Sequence, residues 1–196
     1  MKTEIEVKFL NINIDAMRQK LRDAGAEIEQ PMRRVLIEEP HHKAERSFIR
    51  IRDEGDKVTI TYKRREGEDS LTSAKEIETT VGDFDTMVEL FTTAGWSYTT
   101  YQESKRETWR YKDVEVVIDE WPWVDPYIEI EGDSEEAVKN AAKQLGFDWS
   151  EAVFGSVDVI YNRDYPNMTV RGIIDIKEGH FGDPVPKEFL GKQHGS

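Results

Sequence analysis

Two carboxylates and an ammonium stand at every second position in Glu4-Ile5-Glu6-Val7-Lys8. In an extended strand successive side chains point to opposite faces, so Glu4, Glu6 and Lys8 share one face while Ile5, Val7 and Phe9 share the other. The same arithmetic groups Glu76 with Glu78, Glu129 with Glu131, and Glu115 with Val117 and Asp119. Among bases it groups Arg50 with Arg52, Lys63 with Thr59 and Thr61, and Arg106 with Ser104, Thr108 and Arg110. Taken strand by strand, the simpler explanation is the wet face of an antiparallel sheet. Taken as a set, the faces have a second solution. A sheet of seven or eight strands curled with its apolar face outward, under helices, encloses the charges. Enclosed charges need partners or a metal. Crowded carboxylates take up protons unless a cation sits among them, and Mg²⁺ or Mn²⁺ is the hard, oxygen-seeking ion for that place. Arginine and lysine on the opposing wall suit a polyanion, since guanidinium forks match phosphate oxygens. Acids holding a metal opposite bases holding an anion is the logic of phosphoryl transfer.

The elements that must position these residues follow a repeated plan. A charged-apolar-charged strand hands over to an amphipathic helix three times, at Glu4–Phe9, Glu76–Glu78 and Glu129–Glu131, with spacings of 72 and 53 residues. Those intervals are too unequal for a solenoid. The first helix presents Ile14, Met17, Leu21 and Ala24 on one face, with Asn13 or Asp15 as N-cap and Gly25 as stop. The second is expected over about Asp83 to Ala94, ending at Gly95. The third carries Val138, Ala142 and Leu145, with Asp133 and Glu136 spaced as a capping box and Gly146 after it. Phe48–Arg52 and Val58–Lys63 flank a turn at Asp53-Glu54-Gly55-Asp56, and Gln102–Tyr111 with Val114–Asp119 form a second pair. Arg33–Glu38 is a further strand, Glu66–Ala74 a mobile loop, and Asp148–Asp164 a helix. The Gly/Pro-punctuated stretch beyond Tyr165 lacks periodicity. The expected domains are therefore 1–164 and a tail, 165–196, wrapping the surface or partly disordered.

Composition narrows the function classes. The chain has 196 residues, no cysteine, and 40 acidic against 27 basic residues, a formal net charge of −13. Such a length supports a core without disulfides or structural zinc, and the missing cysteines exclude thiolate chemistry. A field this negative repels nucleic acid and anionic lipid. No apolar run approaches the roughly 20 residues of a membrane span, and charges interrupt the only early apolar stretch. A cytoplasmic location is expected, with no nucleic-acid or membrane partner.

The ordered set of charged motifs is similar to that of the CYTH superfamily, the triphosphate tunnel metalloenzymes. Glu4-x-Glu6-x-Lys8 matches the family's E-x-E-x-K signature. Arg50-x-Arg52 resembles its paired arginines, Lys63 the lysine of the next strand, and Lys75-Glu76-Ile77-Glu78 its second acidic pair. Arg106 with Trp109, then Asp119, then Tyr127-Ile128-Glu129-Ile130-Glu131, resemble its C-terminal half. The likeness spans about Met1 to Tyr161. It implies an α+β fold, an eight-stranded antiparallel β-barrel with a charged interior, covered outside by amphipathic helices, that binds a linear triphosphate with Mg²⁺ or Mn²⁺. It further implies that Glu4, Glu6, Glu129 and Glu131 hold metal, with Glu76, Glu78 and Asp119 completing the acidic wall. Arg50, Arg52, Lys63 and Arg106 would bind phosphates, and Lys8 would lie near the reacting phosphoryl group, with Lys8, Glu6 and Glu129 as the catalytic set. One departure stands out: where many members carry a lysine two residues before the residue equated with Arg106, this chain has Ser104.

The reading preferred on these grounds is hydrolysis of inorganic, thiamine or nucleoside triphosphate, with the inorganic compound ahead of nucleotides. The alternative is a class IV adenylyl cyclase, and the second alternative a non-catalytic binder of polyphosphate or nucleotide. A homodimer is left open. His41-His42 are expected in a surface loop, and His180 and His194 carry no role. Trp121-Pro122-Trp123 first suggests an anchor to the core and second a stacking surface at the tunnel mouth. Phosphate-loop, nucleophile-elbow and zincin motifs are absent from the sequence.

Overall fold

A computed structural model describes residues 2–30, 36–42, 47–65 and 74–191, and the side chains of 5–26, 47–64 and 75–191. Eleven described strands form one sheet: β1 (Lys2–Phe9), β2 (Glu27–Gln30), β3 (Leu36–His42), β4 (Ser47–Asp53), β5 (Val58–Arg65), β6 (Ala74–Val81), β7 (Thr100–Gln102), β8 (Lys105–Tyr111), β9 (Val114–Glu120), β10 (Tyr127–Gly132) and β11 (Glu178–Gly179). Their lateral order is β11-β7-β3-β4-β5-β6-β1-β10-β9-β8-β2. Every pairing is antiparallel except that of β11 with β7. The helices are α1 (Ile14–Asp23), α2 (Phe84–Thr93), α3 (Glu135–Gln144) and α4 (Asp158–Asp164). No described helix is long and apolar enough to cross a membrane.

The repeated strand-helix plan is present. β6, β1 and β10 are lateral neighbours, and each is followed by a ten-residue helix. All three helices end alike, on glycines with positive φ at Gly25, Gly95 and Gly146. In each, the glycine N–H and the one after it reach back to the last turn, as Gly25 N to Arg22 O and Ala26 N to Leu21 O do in α1. That crossed pair needs the left-handed conformation that a side chain resists. The starts are capped by Asn13, Asp83 and Ser134, whose side chains accept from Ala16, Thr86 and Ala137 N–H. Ser134, not the expected Asp133, therefore caps α3.

The outer face of β1, β8, β9 and β10 carries the main core. Val7, Phe9, Val116, Ile118, Ile128 and Ile130 pack under Met17 and Leu21 of α1 and Val138, Ala142 and Leu145 of α3, all buried. Phe9 stacks on Phe147 at 4.4 Å. Each such side chain contributes about 1.5–3 kcal/mol by leaving water. One acid also faces this side. Glu107 is buried, takes a forked contact from Arg18 at 2.8–3.2 Å, and accepts the indole N–H of Trp109 at 2.7 Å.

Three expectations change, and two more fall partly or wholly outside the described residues. The strand foreseen over Gln102–Tyr111 splits into β7 and β8, which lie second from opposite ends of the sheet. The two residues between them, Glu103 and Ser104, thus join the two ends of a sheet whose hydrogen-bonding order is open. The helix foreseen over Asp148–Asp164 is a 3₁₀ turn at Trp149–Glu151 and then α4. Between them Val153 exchanges two backbone hydrogen bonds with Lys8, both 2.9 Å, and Gly155 takes φ 110°. His41 and His42 end β3 instead of sitting in a loop; the strand passes Pro40 through a register shift, where a missing donor is tolerated. Of the strand at Arg33–Glu38 only residues from Leu36 are described, and the loop at Glu66–Ala74 falls outside the described residues except Ala74.

Residues beyond α4 make a second core. Tyr161, Ile173 and Phe189 are buried together, with Trp121, Trp123, Tyr165 and Met168 packed against them. Phe189 lies 5.1–5.7 Å from the rings of Tyr165, Tyr161 and Trp123. Phe189→Ala should therefore lower unfolding free energy by about 3–5 kcal/mol in urea titration. A loss within about 0.5 kcal/mol, the range of ordinary surface changes, would show that this segment is a loose appendage.

Candidate active site

The charged faces meet in one cavity of about 450 Å³ on the concave side of the sheet. Among the described residues eight carboxylates and five cations line it. β4 supplies Arg50 and Arg52, β5 Lys63, β6 Glu76 and Glu78, β1 Glu6, β10 Glu129 and Glu131, and β8 Arg106. Strand register explains the acidic wall. Glu131 sits directly across from Glu6 on one side and Glu115 on the other, a row of three acids over β1, β10 and β9. Like charges so placed repel.

Neutralisation begins one step along, where Lys8 stands across from Glu129. Lys8 is 3% exposed, and its ammonium lies 3.2 Å from Glu6 Oε1 and 3.4 Å from Glu129 Oε2. It sits behind the cavity wall and does not line it. Arg106 makes a fork to Asp119, Nε to Oδ1 at 2.8 Å and Nη2 to Oδ2 at 2.6 Å, and approaches Glu129 at 3.7 Å. Burial disfavours the Arg106 charge, but Asp119 more than offsets it and holds the group ionised beyond its ordinary range. Asp119 is 1% exposed and is likewise withdrawn from the cavity surface. On the other half, Lys63 lies 4.0 Å from Glu76, and the Thr61 hydroxyl donates to Glu78 at 2.7 Å.

Of the residues singled out by sequence, Glu6, Arg50, Arg52, Lys63, Glu76, Glu78, Arg106, Glu129 and Glu131 share the cavity. Lys8 and Asp119 stand behind it, and the side chain of Glu4 lies outside the described residues. Strand alternation did not find Glu54, Asp56 and Lys57, because they belong to the turn between β4 and β5. Glu54 is buried and lies 3.3 Å from both Arg52 and Lys57, whose charges pull its carboxyl below the usual range despite burial. Thr108 and Glu115, grouped on charged faces but given no role, also line the cavity, as does Trp121.

The two walls are perturbed in opposite senses. The Glu129 carboxyl is pushed up to about 8, first by burial and then by Glu6 and Asp119, against the pull of Lys8 and Arg106. The Arg52 guanidinium is pulled down to about 10, first by burial and then by Arg50 and Arg106. The oxygen donors fit a hard divalent cation. No three described carboxylates converge closely enough to cage an ion by themselves, so such an ion would share its coordination with ligand oxygens and water, as Mg²⁺ commonly does.

Fold and cavity together define an α+β protein whose antiparallel sheet curls round a charged interior. The chain belongs to the CYTH domain family, which it matches over residues 2–154. Solved structures of similar fold include a conserved hypothetical protein from Pyrococcus furiosus, with a TM-score of 0.66 and 21% identity over 77% of this chain and 95% of that one. The PH1819 protein from Pyrococcus horikoshii gives 0.57 and 25%, over 74% and 91%. An adenylate cyclase candidate from Vibrio parahaemolyticus gives 0.65 and 13%, over 81% and 97%. No curated protein matches the sequence.

The raised Glu129 sets a pH dependence. An acid whose pKa rises on folding binds more protons folded than unfolded between its unfolded value, about 4.3, and its folded one. Its contribution to stability is therefore greatest at low pH and declines as pH rises through that window. In buffer free of divalent ions, the thermal midpoint of the wild type should fall more between about pH 5 and 8 than that of Glu129→Gln. Parallel curves would show that Glu129 ionises normally.

Proposed function

We propose that the curled sheet works as a closed tunnel for a linear triphosphate and that the protein is a divalent-metal-dependent triphosphatase. The observation that carries this reading is the opposition, across one cavity of about 450 Å³, of Arg50, Arg52, Lys63 and Arg106 to Glu6, Glu129 and Glu131. Residues 1–164 would form the catalytic unit and 165–196 its supporting tail.

In this reading Glu6, Glu129 and Glu131, with Glu4, Glu76 and Glu78 nearby along the strands, hold Mg²⁺ or Mn²⁺. The bound cation would neutralise phosphate oxygens and lower the pKa of coordinated water. Arg50, Arg52 and Lys63 grip the phosphate chain from the opposite wall, where forked guanidinium contacts fix its orientation. Arg106 joins them, aimed by the two oxygens of Asp119. Asp119 thus serves the site by orienting a base, with metal binding the weaker role for it. From behind the wall, Lys8 spaces Glu6 from Glu129 and adds positive charge on the side of the site where negative charge would move during transfer.

Cyclisation of ATP remains the second reading, because an indole, Trp121, lies in the wall of the same cavity. The products separate the two. Purified protein with Mn²⁺ or Mg²⁺ and inorganic triphosphate, thiamine triphosphate, ATP or GTP should release orthophosphate. Cyclic AMP with stoichiometric pyrophosphate would establish the cyclase. Binding without turnover would establish a non-catalytic receptor.

Glu6→Gln and Glu129→Gln should each abolish turnover while the fold persists, and should raise the thermal midpoint in chelator by relieving acid repulsion. Wild-type rates in either at saturating Mg²⁺ would place the metal elsewhere. Arg52→Ala should raise KM and lower kcat together, since a phosphate contact acts in both ground and transition states. Unchanged kinetics would remove Arg52 from the phosphate wall.

A further inference from the structure

The register of β8 against β9 pairs Arg106 with Asp119 and Lys105 with Glu120. Ser104 immediately precedes β8 at this pairing and Trp121 immediately follows β9. Both line the cavity, and Trp121 is the only aromatic side chain among the described residues that does so. At this end the lining changes character, from paired charges to a serine and an indole.

The two tryptophans of the β9–β10 connection have different tasks. Trp123 is the anchor: its indole N–H donates to Asp183 O at 2.8 Å, its ring meets Phe189 edge-on, and its backbone holds φ 67°. The Tyr161 hydroxyl donates to Pro122 O at 2.6 Å and the Tyr165 hydroxyl to Trp123 O. All these partners lie beyond residue 154, where the family match ends. Trp121 rests its ring on the same second core, yet its indole N–H has no acceptor among the described residues. It is held by packing on that core, and it also borders the cavity.

We infer that Ser104 and Trp121 form a subsite for a planar heteroaromatic group carried on the triphosphate, so that the preferred substrate is an organic triphosphate ester such as a nucleotide. This rests on the triphosphate reading of the cavity and reverses the order expected from sequence, in which inorganic triphosphate came first. A ring stacked on an indole gains sequence-tolerant attraction through its π-face. The short serine side chain in the same lining takes up little of the space. Inorganic triphosphate has nothing to place there. The segment beyond residue 154 positions Trp121 by fixing Pro122 and Trp123.

The test measures kcat/KM for ATP and for inorganic triphosphate, each with Mg²⁺ or Mn²⁺, in the wild type, Trp121→Ala, Trp121→Phe and Ser104→Lys. The ratio of ATP to inorganic triphosphate should fall about tenfold in Trp121→Ala, through KM for ATP, and recover in Trp121→Phe. Ser104→Lys, which fills the space and adds a cation, should move the ratio the same way and supplies the answer if Trp121→Ala does not fold. An unchanged ratio in the folded variants overturns the subsite and leaves the triphosphatase intact. A wild type that turns over neither compound overturns the triphosphatase reading, and the subsite with it.

Discussion

Charge enclosed by a curled sheet must be matched by opposite charge, and that constraint governs the rest of this protein. Alternation sends every second side chain of β1, β4, β5, β6, β8 and β10 to the concave face, and most of these are ionisable. Breaking a buried pair by removing one partner costs about 3–5 kcal/mol, so each strand depends on its neighbours' register. Lys8 shows how tightly. Its ammonium lies 3.2–3.4 Å from two carboxylates, while its backbone is paired with Glu129 on one side and with Val153 on the other. A one-residue slip of β1 would put Val7 among the acids and Lys8 in the core beside Phe147.

The weakest point of such a sheet is where its ladder stops, between β7 and β8. The chain repairs it with the segment beyond the family domain. β11 adds to β7 in parallel, the Thr100 hydroxyl donates to Ile176 O at 2.6 Å, and the Gln102 amide donates to Ile173 O at 3.0 Å. Phe181 N–H donates to the Glu103 carboxylate, and the Lys105 ammonium lies 4.5 Å from the centre of the Phe181 ring. The same segment grips the β9–β10 turn. It thus binds both banks of the seam, and the cavity wall at Ser104 inherits its position from contacts that lie well outside the charged motifs.

What was legible in the sequence follows from the range of the forces involved. Side-chain alternation is local, so the shared faces of Glu6 with Lys8, Arg50 with Arg52 and Glu129 with Glu131 could be computed without knowing their neighbours. Helix stops at Gly25, Gly95 and Gly146 were equally local. The split at Glu103–Ser104 was not, because the residues on either side have strand character and only their partners, β3 and β9, differ. Nor could spacing separate Trp121 from Trp123: one faces the cavity because Tyr161, Tyr165 and Phe189, at least 38 residues later in the chain, hold the other. Asp119 was assigned to the right face, yet Arg106 takes both its oxygens, a fact of register between β8 and β9.

The opposed perturbation of Glu129 and Arg52 indicates where binding energy would come from. Each pKa unit corresponds to about 1.4 kcal/mol of unfavourable charge placement, and the chain's own ion pairs leave both groups displaced toward neutrality. Lys8 cannot fully compensate the acids because it serves two of them. Glu54 cannot fully compensate Arg52 because it is shared with Lys57. Direct pairing of the two walls would remove the displacement, but the strands that carry them are fixed on different parts of the sheet, and Arg106 comes only to 3.7 Å from Glu129. An anion against the arginines together with a cation among the acids relieves both displacements at once, whereas either alone relieves one and adds its own uncompensated charge. In the proposed function, binding of the two would therefore be coupled, a reciprocity that any linkage between sites must obey.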